Sequence, residues 1–152
     1  MSIQNLEFKA LKSNMNMILG FDPGRDKCGL AVMGQERLYY HQVVPAADAI
    51  AKIEALRQQF AISLMVMGNQ TTAKDWQEKI TAVLPSLSIV MVDERYTSLE
   101  ARDRYWQMYP PTGFSRLIPQ GMRQPPRPID DIVAILLIEK YLSNSEFQIQ
   151  NS

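Results

Sequence analysis

Three carboxylates stand where apolar runs of this chain begin or end. Asp22 closes the run Met17 to Phe21, Glu94 follows Ile89 to Val92, and Asp130 opens the run through Ile138. Asp131 is adjacent, so either of these two acids could be the one that faces inward. Carboxylates brought together repel, and one of them takes up a proton or they share a cation. A hard divalent cation with oxygen ligands, Mg²⁺ or Mn²⁺, is the simplest resolution. Each acid also has an ordinary explanation. Asp22 before Pro23-Gly24 suits a turn, Glu94 a solvated strand end, and Asp130 or Asp131 a helix cap. Scarcity removes other chemistries: one cysteine, Cys28, and one histidine, His41, leave no internal disulfide and no Cys- or His-rich zinc site. A Cys28–His41 nucleophile pair is the alternative, against which Cys28 reads as core filler and His41 as a strand-surface residue.

The elements that must position these acids follow from periodicity and breakers. Met17–Phe21, Cys28–Met33 and Leu38–Val44 are apolar runs separated by short turns, Asp22-Pro23-Gly24 and Gly34-Gln35-Glu36-Arg37, and predict an antiparallel meander. Pro45 is expected to open a helix whose Ile50, Ile53, Leu56 and Phe60 share a face. Leu64–Met67 and Ile89–Val92 read as buried strands, with a helix from Ala73 to Leu84 between them. Thr97 and Glu100 form a capping-box pattern for a helix to Met108. Residues 109–128, crowded with Pro and Gly, predict a long irregular loop, and Ile129–Leu142 a buried final helix. The alternating second half calls for parallel strands, so the sum is an α/β fold with a mixed sheet. Sites in such sheets lie beyond the carboxyl ends of the parallel strands, where Asp22, Glu94 and Asp130 would meet.

The 152 residues suit one domain, here 17–142, with an extension at 1–16 and a frayed polar tail at 143–152. No apolar run has the length of a membrane span, and 1–16 lacks a signal-peptide stretch, which together predict a cytoplasmic protein. Net charge is zero, but Arg95, Arg102, Arg104, Arg116, Arg123 and Arg127 fall in one stretch that could carry a local positive field.

The segments around the acids resemble the YqgF family. Ile18-Leu19-Gly20-Phe21-Asp22-Pro23-Gly24 through Cys28-Gly29-Leu30-Ala31-Val32 is similar to its opening hairpin. Val92-Asp93-Glu94-Arg95-Tyr96-Thr97-Ser98 resembles its second signature, and Ile129-Asp130-Asp131-Ile132-Val133-Ala134 through Leu142 its third. The resemblance implies an RNase H-like fold, with a five-stranded sheet in the element order βββαβαβα plus a final helix and helices on both faces. It also implies two-metal phosphodiester hydrolysis with Asp22, Glu94 and Asp130 as catalytic, metal-binding residues and Asp131 as the alternative ligand. The implied substrates are precursor 16S ribosomal RNA at its 5′ end, free or on ribosomal particles, or branched DNA of the Holliday-junction kind. Two stretches depart from the family. Gly68-Asn69-Gln70-Thr71-Thr72-Ala73-Lys74 replaces a Gly-x-Pro stretch followed by Asp-Gly, and the loop before the last helix is unusually rich in proline.

Phosphate contacts are expected from Lys27 in the hairpin turn, from Thr71, Thr72 and Lys74 after the middle strand, and from Arg95. Arg116, Arg123 and Arg127, interleaved with Tyr109 and Phe114, would let the long loop close over a strand. The bland readings are a helix cap for the threonines and solvated arginines. Two other classes compete: a catalytically silent RNase H-fold module that binds nucleic acid or protein, and an actin-like ATPase. The second usually needs a second domain, and this chain has no Gly-x-x-x-x-Gly-Lys loop. Monomer and homodimer both remain open.

Overall fold

A computed structural model describes residues 16–35 and 37–150, the last six of them as backbone only. The expected extension therefore lies, apart from Asn16, outside the described residues. Strands β1 (Met17–Asp22), β2 (Lys27–Gly34) and β3 (Arg37–Pro45) form the meander, followed by α1 (Ala49–Gln59) and β4 (Ile62–Gly68). Then come α2 (Ala73–Val83), β5 (Ser88–Val92), α3 (Thr97–Met108) and α4 (Asp130–Gln150). The five strands are ordered β3-β2-β1-β4-β5. β1 pairs antiparallel with β2 and parallel with β4, and β4 pairs parallel with β5. This is the mixed α/β sheet expected, in the order βββαβαβα plus a final helix.

Side-chain alternation decides which face each helix covers. Leu19 and Phe21 of β1, Leu30 and Val32 of β2, and Met65 and Met67 of β4 bury against α1 and α2. Ala31 and Met33, Val66 and Val92 face the other way and pack with α3 and α4. The period of two places Ile18, Gly20 and Asp22 on the α4 face, so β1 delivers its acid to the side where α4 begins. α4 can lie close because two residues beneath it lack side chains. A Cβ on Gly20 would run into the carbonyl oxygen of Ala134, and one on Gly29 into that of Asp130. Gly29 pairs directly with Asp22, so the start of α4 sits over the end of β1.

Three local expectations are corrected. Pro45 ends β3, and a 3-10 turn over Ala46–Asp48 intervenes before α1. No capping box forms at α3. Tyr96 is the cap, with a left-handed φ of 65°, and Thr97 is the first helical residue, buried at 4% exposure. α4 continues to Gln150 rather than stopping at Leu142, since no Gly or Pro interrupts 143–150. In the long loop proline bars an α-helix, but 3-10 turns form at Gly113–Leu117 and Gln120–Met122. Arg123 ties them together, its guanidinium donating to the carbonyls of Ser115, Arg116 and Ile118. No helix among the described residues is long and apolar enough to cross a membrane.

Candidate metal and nucleic-acid cleft

Three elements bring the acids together. Asp22 ends β1, Glu94 lies two residues beyond β5, and Asp130 is the first residue of α4. All three line one cleft of about 580 Å³, with the turn Pro23–Lys27 on one side and Arg102, Arg127 and Pro128 on the other. The turn after Asp22 is anchored from below, where Trp76 Nε1 donates to the Gly24 carbonyl at 3.2 Å. The Trp76 ring also meets Phe21 edge-on. Glu94 is held by its backbone: its N–H donates to Asn69 Oδ1 at 3.3 Å, and Thr97 N–H donates to its carbonyl at 3.0 Å. Lys140 of α4 donates to the carbonyl of Asp93 at 2.7 Å, tying this segment to the final helix. Gly68 makes room for the acid, since a Cβ there would occupy the place of the Glu94 carboxylate.

The electrostatics are those of crowded carboxylates. Asp22 is 7% exposed. Burial first, then the charges of Glu94 and Asp130, push its carboxyl up to about 8, and a hydrogen bond with Asp130 adds to the effect. Burial and Asp93 push Glu94 up to about 6 against the opposing bond from Gln70. Asp22 Oδ1 and Glu94 Oε1 are buried without a hydrogen-bond partner. Buried oxygens left in this way are costly unless something neutralises them. Oxygen-only donors of this charge fit Mg²⁺ or Mn²⁺. They do not form a closed cage here: among the described residues no three acidic, His or Cys groups stand close enough to hold an ion.

Asp131 faces a different set of groups. It is 2% exposed and lies outside the cleft lining, and its carboxylate is occupied by His41 and Arg127. Asp130, not Asp131, therefore accompanies Asp22 and Glu94. Cys28 is fully buried in the core beneath α1 and α2, whereas His41 turns to Asp131, so no Cys28–His41 pair forms.

Of the expected phosphate contacts, Lys27 lines the cleft, and so does Arg127, although its guanidinium is engaged. Arg95 is tied to Asp93 at 2.7 Å on an exposed turn. Thr71 and Thr72 lie outside the cleft lining, and Lys74 faces a separate groove on α2. Arg116 is exposed on the loop, and Arg123 is used within it. Arg25, Gln70, Thr97, Ser98 and Arg102 also line the cleft. Their sequence signals are position in the turn after Asp22 or in the segment after β4, and the first two turns of α3, where Ser98 and Arg102 share a face.

The sheet order and the acidic cleft define a mixed α/β domain with its candidate site beyond the carboxyl ends of the parallel strands. Along 88% of its length the chain is similar to a relative from Coxiella burnetii (strain Dugway 5J108-111) named "Putative pre-16S rRNA nuclease", 27% identical over an alignment of 151 residues that covers 97% of that protein. A relative of the same name from strain RSA 493 is 25% identical over 150 residues, with the same shares covered. No family model matches the chain. Among solved structures, T. thermophilus RuvC in complex with Holliday junction substrate is 21% identical, with a TM-score of 0.46, over 86% of this chain and 96% of that one.

Proposed function

We propose that the protein is a metal-dependent endonuclease that hydrolyses phosphodiester bonds in structured nucleic acid, with precursor 16S ribosomal RNA as the substrate its named relatives favour. The observation carrying this reading is the convergence of Asp22, Glu94 and Asp130 from three elements on one cleft, with buried oxygens of two of them unpaired. Divalent cations held there, two in the fullest form of the reading, would neutralise charge developing on the phosphate and make an attacking water more acidic. Asp22, deepest of the three, must give up its proton for that to happen, and Glu94 and Asp130 flank it. Arg25, Lys27 and Arg102 at the rim would meet phosphate oxygens and set the strand in register. Thr97 and Ser98 add hydroxyls on the α3 side.

The test is cleavage by purified full-length protein with Mn²⁺, offered a precursor 5′ extension, a four-way junction and a single-stranded RNA. Asp22→Asn is expected to lower the rate by roughly a hundredfold or more while leaving circular dichroism unchanged. Cleavage at the wild-type rate by that variant would remove the assignment. A wild-type protein that binds these substrates but cuts none would instead favour a silent binding module.

A further inference from the structure

Beside the cleft lies a second polar cluster that the hydrolytic reading does not use. Asp131 is buried, yet every one of its side-chain oxygens is engaged. His41 Nδ1 meets Oδ2 at 2.7 Å, and Arg127 donates from Nη1 to Oδ1 at 2.9 Å and from Nη2 to Oδ2 at 3.3 Å. The same guanidinium lies over the rings of Tyr105 and Tyr109, 5.4 and 5.7 Å from their centroids. It also donates to the Pro128 carbonyl at 2.6 Å. Tyr109 Oη closes the circuit, 3.5 Å from His41 Nε2. Four parts of the chain meet here: β3, the end of α3, the last residues of the proline-rich loop and the first turn of α4.

A buried carboxylate is tolerated when fully paired, and removing one partner leaves the other stranded. A planar, two-point fork stacked on aromatic rings also fixes geometry in a way a lysine does not. We propose that Asp131, Arg127 and His41 form a strut that sets the entry of α4, aims Asp130 at Asp22 and holds the loop as the cleft wall. Arg127 is then a positioning residue and not a phosphate contact, although it lines the cleft. The reasoning is mechanical. Asp130 and Asp131 are consecutive in one helical turn, so anchoring the second fixes the direction of the first. The proposal rests on reading the cleft as a cation site.

Its test uses the full chain and two readouts that need no nucleic acid. These are Mn²⁺ affinity by calorimetry and amide hydrogen exchange across residues 123–133. Arg127→Ala and Asp131→Asn are each expected to weaken Mn²⁺ binding roughly tenfold and to speed exchange, as loss of groups supporting a metal ligand does. The double variant should be no worse than the poorer single one, because both remove the same pair. Arg127→Lys should recover only part of the affinity. Unchanged affinity and exchange in Arg127→Ala, with weakened nucleic-acid binding alone, would overturn the strut and make Arg127 a phosphate contact. A wild-type chain that binds no Mn²⁺ would overturn the reading of the cleft, and the exchange result would then decide the strut by itself.

Discussion

At Asp22 the cost of assembling the cleft can be read as a pH dependence. In the cation-free protein this carboxyl is held near 8, against an ordinary value of 3.8. Below that ordinary value both folded and unfolded chains are protonated there, so it contributes no difference. As pH rises towards 8 the unfolded chain releases the proton while the folded one keeps it, and stability falls. Asp22→Asn removes the penalty. In chelator the variant should match wild type near pH 4 and exceed it by about 2–4 kcal/mol at pH 8, measured by urea unfolding. Saturating Mn²⁺ should reverse the order. Parallel curves across that range would contradict the burial and crowding assigned to this residue. The acids themselves were legible in the sequence, because they sit where apolar runs start and stop. The choice between Asp130 and Asp131 was not. It depends on His41, 90 residues away from Asp131, and on which way a helix is rotated.

Elements place those acids through close approach more than through capping. α4 rests its first turn on Gly29, so Gly29→Ala must push the backbone of Asp130 away from the sheet. The expected loss is about 1–3 kcal/mol in urea unfolding, with Mn²⁺ binding weakened as well. Gly121→Ala, where an added Cβ meets nothing, should change stability by less than about 0.5 kcal/mol. Equal effects at the two positions would mean that the helix does not depend on the contact. Strand identities followed from apolar runs bounded by turn residues, and that of α1 from apolar residues three to four apart. Local stops did not. The Thr97–Glu100 spacing fits a capping box, yet Thr97 is drawn inside the helix and buried at the cleft, leaving Tyr96 in a left-handed turn. Tertiary placement of Thr97 beside the acids outweighs the local pattern there.

For the whole molecule, net charge conceals how its cations are distributed. The arginine-rich stretch 95–127 does not present a uniform positive surface. Arg95 pairs with Asp93, Arg104 with Glu139 and Arg127 with Asp131, which leaves Arg25, Lys27 and Arg102 as the basic residues at the cleft outside these ion pairs, with Arg102 also donating from Nη2 to the carbonyls of Gly121 and Arg123. Substituting Lys27 by Ala should therefore weaken nucleic-acid binding and lessen its salt dependence by about one counterion, whereas Lys74→Ala, facing another groove, should not. Filter binding across a salt series separates the two. The Arg104–Glu139 pair could not be inferred from sequence because its partners lie 35 residues apart on two helices, whereas Arg95 and Asp93 are two residues apart on one turn. The most direct measurement of all is a crystal structure of the protein soaked in Mn²⁺, read by its anomalous signal. The expected result is a peak bounded by Asp22, Glu94 and Asp130, with Asp131 still bound to His41 and Arg127. A fully occupied peak elsewhere, or none at Mn²⁺ concentrations that support cleavage, would contradict it.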